Sequence, residues 1–186
     1  MRPMTHATSR PPKTIDDYLA LPDEVRAELI GGEIYMTPAP TPRHSEIGLR
    51  LGGRIEAWAS ASRWGRVFGP PCDLHLPSGD VVEPDLLVVS RANAGIVLEK
   101  YVRGRPDLVV EVISGAHPER DRIVKHDLYE ENGIPEFWLV DTAEKAIEVF
   151  RLGRSKFRPA GWFSGGTVLE TPTLPGFRLA VDDLFA

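Results

Sequence analysis

Two carboxylates and an amine in the middle of the sequence are residue types that can hold a divalent cation and act on its ligand. Glu111 interrupts residues 106–113, a run rich in β-branched residues that is typical of a strand buried on both faces. An unpaired, ionised carboxylate in such a strand costs several kcal/mol or is forced to stay protonated. Asp85 begins a second apolar stretch after Pro84, and Lys125 follows in a predicted helix. We therefore expect Glu111 to have charged neighbours.

Asp85 is the carboxylate best placed to meet Glu111. Asp107 has the same parity as Glu111, but four residues of strand separate them by about 13 Å. Both cannot then bind one cation at roughly 2.1–2.5 Å. If the strands predicted over residues 81–89 and 107–114 are neighbours, Asp85 and Glu111 face each other across about 5 Å. Such a pair needs a proton, a cation or a lysine between its members, and Lys125 is the nearest candidate in sequence.

Two acids on adjacent strands and one ammonium group are what metal-dependent phosphodiester hydrolysis requires. The acids hold Mg²⁺, which polarises the phosphate and acidifies water. The lysine positions that water or offsets developing charge. His44 is a further candidate, although histidines at helix starts are often only capping or exposed.

The elements that would position these residues follow from hydrophobic periodicity and turn signals. The predicted strands cover residues 28–36 (a hairpin turning on Gly31 and Gly32), 66–76, 81–89, 106–113, 136–141 and 146–151, followed by edge strands and a closing segment. The predicted helices cover residues 44–62 and 119–132, with a short helix capped by Thr14. In the second of these helices Asp121, Lys125 and Tyr129 share one edge at i, i+4 and i+8.

Composition indicates a soluble globular chain. It has 186 residues, 42% hydrophobic and 26% charged, with a net charge of −5, which excludes a generic polyanion binder. No apolar run approaches 18 residues and no signal peptide is evident, so we expect a cytoplasmic protein without membrane contact. The single cysteine, Cys72, excludes an internal disulfide. We expect a disordered tail over residues 1–13 and one domain over residues 14–186.

Several short motifs occur in one order along the chain, and together they resemble the Uma-two family of restriction endonucleases, within the PD-(D/E)xK phosphodiesterase superfamily. Each motif alone is weak, whereas the ordered set is specific and covers nearly the whole chain after residue 13. The set is Glu28-Leu-Ile-x-Gly-Glu33, Pro-x-x-Arg-His44, Pro84-Asp85-Leu, Pro106-Asp-Leu-Val-Val-Glu111-Val-Ile-Ser, Asp121-x-x-x-Lys125-x-x-x-Tyr129, Gly133-Ile-Pro-Glu-Phe-Trp-Leu-Val-Asp141 and the late Leu174-Pro-Gly-Phe177.

The resemblance implies an α/β (α+β) fold with a restriction-endonuclease-like core, in which a mixed central sheet is flanked by helices. It implies that Asp85 and Glu111 bind Mg²⁺, with Mn²⁺ as an alternative, and that the backbone carbonyl of Val112 is a third ligand. The superfamily places its lysine two residues after the glutamate, where this chain has Ile113. In the family that it resembles the lysine lies on the following helix, which fits Lys125.

Three supporting residues come from the same comparison of motifs. Glu33 and His44 match the family pattern without an assigned role, and Asp121 precedes Lys125 by one helical turn and is expected to orient it.

Two functions from different classes follow from the sequence. The first is a Mg²⁺-dependent endonuclease that hydrolyses DNA phosphodiester bonds, expected as a homodimer because cutting both strands uses two-fold symmetry. The alternative is a catalytically inactive nuclease fold that serves as a binding or assembly module, with the acids in an inert ion network. The net charge of −5 and the lack of a basic stripe favour this alternative.

Overall fold

The computed structural model describes residues 11–22, 24–113 and 118–186, and in the helix that begins at Pro118 it describes side chains from Arg122 onward. Most of the tail predicted over residues 1–13 lies outside the described residues. None of the helices in the described ranges has the length and apolar character needed to cross a membrane.

Thirteen strands and four helices make up the described chain. The helices are α1 (Ile15–Leu19), α2 (Pro42–Ser62), α3 (Pro118–Glu131) and α4 (Val181–Phe185), with a 3₁₀ turn at Arg91–Ile96. The strands are β1 (Ala27–Ile30), β2 (Glu33–Met36), β3 (Gly65–Phe68), β4 (Leu74–His75), β5 (Val81–Val82), β6 (Leu86–Ser90), β7 (Val102–Arg103), β8 (Leu108–Ile113), β9 (Glu136–Asp141), β10 (Ala146–Leu152), β11 (Phe157–Phe163), β12 (Val168–Thr171) and β13 (Leu174–Ala180).

The central sheet has the strand order β11-β10-β9-β8-β6-β3. It is mixed, because β8 runs parallel to β9 and antiparallel to β6. Every residue of β8 is buried, as its β-branched sequence predicted. One apolar layer packs Val110 and Val112 with α2, and the opposite layer packs Val109 with α3. The predicted α/β (α+β) architecture, a mixed central sheet flanked by helices, is confirmed.

A second sheet, in the order β2-β1-β5-β4-β7, adjoins the central sheet. The β1–β2 hairpin turns on Gly31 and Gly32, whose φ angles of 59° and 79° are the left-handed values that a two-residue hairpin loop requires. This hairpin was predicted, and it fixes the direction of Glu28 on β1.

The structure differs from the sequence prediction where two strands were expected to be continuous. The segment 66–76 divides into β3 and β4, and the segment 81–89 divides into β5 and β6, with the two halves of each in different sheets. Prolines explain both breaks, since Pro70, Pro71 and Pro84 have no N–H to donate to a strand ladder. The second break leaves Asp85 at the start of β6, beside the junction of the two sheets.

Candidate metal and phosphodiester site

Asp85 and Glu111 meet on neighbouring antiparallel strands. The register pairs Leu86 with Val110, and its continuation brings Asp85 opposite Glu111. Asp85 Oδ2 accepts a hydrogen bond of 2.7 Å from the N–H of Val112, which fixes the carboxylate against β8. Only 15% of the Asp85 side chain and 11% of the Glu111 side chain are exposed. Two carboxylates thus share a largely buried position.

The backbone of Val112 presents its carbonyl to the same place. In a β-strand the N–H and C=O of one residue point to the same side, and the Val112 N–H points to Asp85. The expected third ligand therefore lies on the side of β8 that carries Asp85.

Lys125 reaches this position from α3 and lies between two carboxylates. Its Nζ is 2.5 Å from Glu28 Oε1 and 3.1 Å from Glu111 Oε1. Burial favours the neutral amine, but the charges of Glu111 and Glu28 outweigh it and raise the pKa of Lys125. Lys125 therefore carries a charged ammonium group, which Glu28 holds within contact distance of Glu111.

Glu111 is the group whose protonation is most perturbed. Burial raises its pKa above the usual range; the charge of Lys125 opposes the shift, while the charges of Asp85 and Glu28 add to it. Its Oε1 accepts a hydrogen bond of 2.5 Å from the hydroxyl of Tyr129, which lies one turn beyond Lys125 on α3. Burial, followed by the charge of Glu111, raises the pKa of that hydroxyl, which keeps it a hydrogen-bond donor.

His44 stands on the other side of Asp85, in the first turn of α2. Its Nε2 is 3.1 Å from Asp85 Oδ2. The hydrogen bond to Asp85 raises the pKa of His44, and partial burial opposes this shift. Thr41 caps α2 by accepting the N–H of His44, so the start of the helix holds the imidazole beside the acids.

The other two supporting residues have different locations. Glu33 lies on β2 with its carboxylate exposed, and it accepts a hydrogen bond of 2.7 Å from the hydroxyl of Tyr35. The side chain of Asp121 lies outside those that the structure describes, so its expected contact with Lys125 stays a prediction.

Glu28 and Tyr129 contact the site, although the sequence analysis did not assign them to it. Glu28 Oε1 accepts both the ammonium of Lys125 and the N–H of Glu83. A signal was present for each, because Glu28 opens the first motif and Tyr129 shares the helix edge of Lys125. Glu33 in the same motif was named as a supporting residue because it matches the family pattern, and its role stays a prediction.

The acids lie at the inner end of a cleft of about 1090 Å³. Its lining comes from the β1–β2 hairpin and the loop that follows it, from α2, and from Val124 and Lys125 of α3. Gly48 and Gly52, on two successive turns of α2, add no side chain to this lining. Asp85 and Glu111 are thus both part of the surface of this cleft.

The donor set fits a hard divalent cation. Among the described residues, no hydrogen bond reaches Asp85 Oδ1 or Glu111 Oε2, so one oxygen of each carboxylate remains for a ligand. Over the same residues, no three His, Cys, Asp or Glu side chains are grouped to hold a metal. A cation here would therefore use two carboxylates, the Val112 carbonyl and water, which is the oxygen-rich set that Mg²⁺ prefers.

Comparisons with known proteins give a family and a fold. The Uma2 (Uma-two) family model, described as "Putative restriction endonuclease", matches residues 15–182. A crystal structure described as a putative nuclease belonging to DUF820 from Anabaena variabilis is similar, with a TM-score of 0.77 and 22% sequence identity. The alignment covers 94% of this chain and 98% of that one, so the two share a fold. No curated protein matches this chain.

Proposed function

Because the chain belongs to the Uma2 family of putative restriction endonucleases, we propose that it is a nuclease that hydrolyses DNA phosphodiester bonds with Mg²⁺, or with Mn²⁺ in its place. The supporting observation is the arrangement of Asp85, Glu111 and Lys125 at the inner end of one cleft, with an oxygen of each carboxylate left for a ligand. This arrangement matches the requirements of phosphodiester hydrolysis: a cation site, and a fixed positive charge beside it.

The bound cation would polarise a phosphoryl oxygen and acidify a water molecule. Asp85, Glu111 and the carbonyl of Val112 would hold it. Lys125 is the charge that this chain itself supplies to the phosphate in the transition state. Glu28 holds that ammonium group in place, and Tyr129 fixes the rotamer of Glu111 through its hydrogen bond.

His44 would act through Asp85. Its hydrogen bond to Oδ2 leaves Oδ1 as the oxygen for a ligand. It also restricts rotation of the carboxylate, which the Val112 N–H already holds from the other side. His44 is therefore proposed as a positioning residue.

The test is cleavage of single-stranded and double-stranded DNA with Mg²⁺ or Mn²⁺. Asp85→Asn combined with Glu111→Gln keeps side-chain shape and removes both charges, so cleavage should fall to background. Asp107→Asn is the matched control, because Asp107 is a carboxylate at the start of the Glu111 strand whose contacts are Ser90 and Asn93, outside the cleft. Unchanged cleavage in the double variant would contradict the proposal.

A non-catalytic binding or assembly module is the second candidate function. The observation that favours it is the ion network itself, since Lys125 already neutralises part of the charge of Glu28 and Glu111. Calorimetric titration with Mg²⁺ separates the two candidates. Saturable binding that is lost in Glu111→Gln supports the nuclease, and a folded protein without such binding supports the module.

A further inference from the structure

The described lining of the cleft is acidic, whereas proteins bind a DNA duplex mainly through Lys and Arg contacts to its phosphates. Among the described residues, its lining contains five carboxylates and only two Arg or Lys side chains. The carboxylates are Glu28, Glu56, Glu83, Asp85 and Glu111, and the cations are Arg26 and Lys125. Both cations are engaged, Arg26 with Glu83 at 2.6 Å and Lys125 with Glu28 and Glu111. In the described part of the lining, each Arg or Lys side chain is therefore already paired with a carboxylate.

A duplex would meet this surface at a disadvantage. Double-stranded DNA carries two rows of phosphates, and proteins hold it chiefly through Lys and Arg contacts to both. The acids here are also largely buried, so the scissile phosphate must enter the fold to reach them. A stiff duplex carries its phosphates on a wide rod, whereas a single strand can turn one phosphate inward.

The mouth of the cleft has apolar and aromatic side chains that a single strand can contact through its bases. Tyr35 and Met36 on β2 and Leu49 on α2 belong to its lining. Met36 is 64% exposed and Leu49 is 77% exposed, which is high for large apolar side chains. Proteins that bind single strands stack unpaired bases on aromatic side chains, and Tyr35 is a side chain of this type. Glu33 accepts the Tyr35 hydroxyl and so fixes the orientation of the ring.

From this charge, depth and apolar mouth we infer that the cleft takes a single-stranded nucleic acid, with a base against Tyr35 and Leu49 and the backbone directed inward to Asp85 and Glu111. The inference rests on the proposed function for the use of the acids. What it adds is that the substrate is unpaired, as in free single strands, frayed ends or flaps.

The experiment is fluorescence anisotropy with a labelled oligothymidine strand, free or annealed to oligoadenosine. Ca²⁺ replaces Mg²⁺, so that a hard cation is present. We expect the free strand to bind at least about tenfold more tightly than the duplex, since the cleft offers base-stacking surface and few phosphate contacts. Equal or tighter binding of the duplex, or no binding of the free strand, would overturn the inference.

Variants at the mouth test where the strand lies. Tyr35→Ala should weaken binding of the free strand roughly fivefold or more, the range for loss of one stacked base. Tyr35→Phe keeps the ring and removes the hydroxyl that Glu33 accepts, so it should bind within about twofold of the unaltered protein. Leu49→Ser should weaken binding, and Leu98→Ser, an exposed leucine outside the cleft, should not. Equal binding by Tyr35→Ala and the unaltered protein would place the strand elsewhere and overturn the inference.

Failure of this inference is distinguishable from failure of the proposed function. Tight binding of the free strand with no cleavage in Mg²⁺ or Mn²⁺ would contradict the nuclease and leave the inference standing. Efficient cleavage of duplex with weak binding of the free strand would do the reverse.

Discussion

The ammonium group of Lys125 lies between Glu28 and Glu111. Substitution of Glu28 should change the cleavage rate more than it changes Mg²⁺ affinity. Glu28→Gln removes one negative charge from the ammonium group without touching Asp85 or the free oxygen of Glu111. We expect cleavage to fall about tenfold, a loss of roughly 1.4 kcal/mol in transition-state stabilisation, while Mg²⁺ affinity falls by less than about twofold. Cleavage kinetics and calorimetry on the same preparation check this. Glu144→Gln, in the exposed turn after β9, is the control; equal losses of binding and cleavage in Glu28→Gln would contradict the assignment.

His44 and His75 should change the free energy of unfolding with pH in opposite directions. The hydrogen bond to Asp85 raises the pKa of His44. Its contribution to the free energy of unfolding is thus fully present below the unfolded pKa of about 6.5, and is lost as the pH rises through the folded pKa. Burial, aided by the charge of Arg103, lowers the pKa of His75. Stability is then lost as the pH falls from about 6.5 through its folded pKa, because the unfolded chain takes up a proton that the folded chain resists.

The measurement is urea unfolding across roughly pH 5–8 for the unaltered protein, His44→Gln and His75→Gln. The difference in unfolding free energy between the unaltered protein and His44→Gln should shrink as the pH rises. The corresponding difference for His75→Gln should grow as the pH rises. Parallel curves for all three proteins would contradict both pKa assignments.

The chemistry of the site was more predictable at the residue scale than its geometry. A carboxylate inside a β-branched run requires partners; strand spacing then favoured Asp85, and nearness in sequence favoured Lys125. The contact between Glu28 and Lys125 depends on how β1 pairs with β5, through Leu29 and Val81, and on where α3 crosses β8. Neither the strand pairing nor the position of the helix can be predicted from a local sequence pattern. For the same reason, Glu33 could not be excluded from the cleft on sequence alone.

At the scale of elements, α2 holds glycines where packing alone does not require them. An added Cβ at Gly48 or Gly53 would meet no atom within 4 Å, whereas at Gly52 it would lie 2.9 Å from Leu86 Cδ2. Gly48→Ala and Gly53→Ala should each stabilise the protein by about 0.5–1 kcal/mol through helix propensity. Gly52→Ala should gain less, because Leu86 must shift. Thermal unfolding of the three variants checks this order, and a larger gain at Gly52 than at Gly48 would contradict it.

Helices and strands were predictable where one pattern of apolar residues continued over several helical turns or over a full strand. The helix around Ile47, Leu51 and Ile55 and the all-buried strand β8 are examples, since their patterns are long and consistent. The division of residues 66–76 and 81–89 between two sheets was missed, although the prolines that cause it are visible in the sequence. A proline shows that a ladder is interrupted, but it does not show which sheet the chain joins next.

At the scale of the whole molecule, hydrogen bonds to Glu136 link the β12–β13 hairpin to the central sheet. It is fully buried on β9 and accepts hydrogen bonds from Trp138, Arg151, Thr171 and Thr173. Glu136→Gln should lower the free energy of unfolding by at least about 2 kcal/mol, because buried donors lose a charged acceptor. Urea denaturation measures this loss. Glu170→Gln, which removes an exposed ion pair with Arg178, should cost less than about 1 kcal/mol, and similar losses in the two variants would contradict the role of Glu136.

The homodimer expected from the sequence rested on cleavage of both strands of a duplex. A single strand requires only one cleft, and all of the residues proposed for the site come from one chain. We therefore expect specific activity on single-stranded DNA to be independent of protein concentration, down to concentrations at which mass measurement gives the 20.6 kDa monomer. A loss of activity on dilution would show that a second copy completes the site.

The position of the site residues along the chain sets the earliest moment at which the site can exist. Glu28 comes from the first strand, Asp85 and Glu111 from the middle of the chain, and Lys125 and Tyr129 from the helix that follows. During synthesis, the acids leave the ribosome before the ammonium group that sits between Glu28 and Glu111. Until Tyr129 has emerged and α3 has packed against β8, the growing chain holds the carboxylates without the lysine. A chain whose synthesis has not yet reached this helix therefore lacks the lysine of the proposed site.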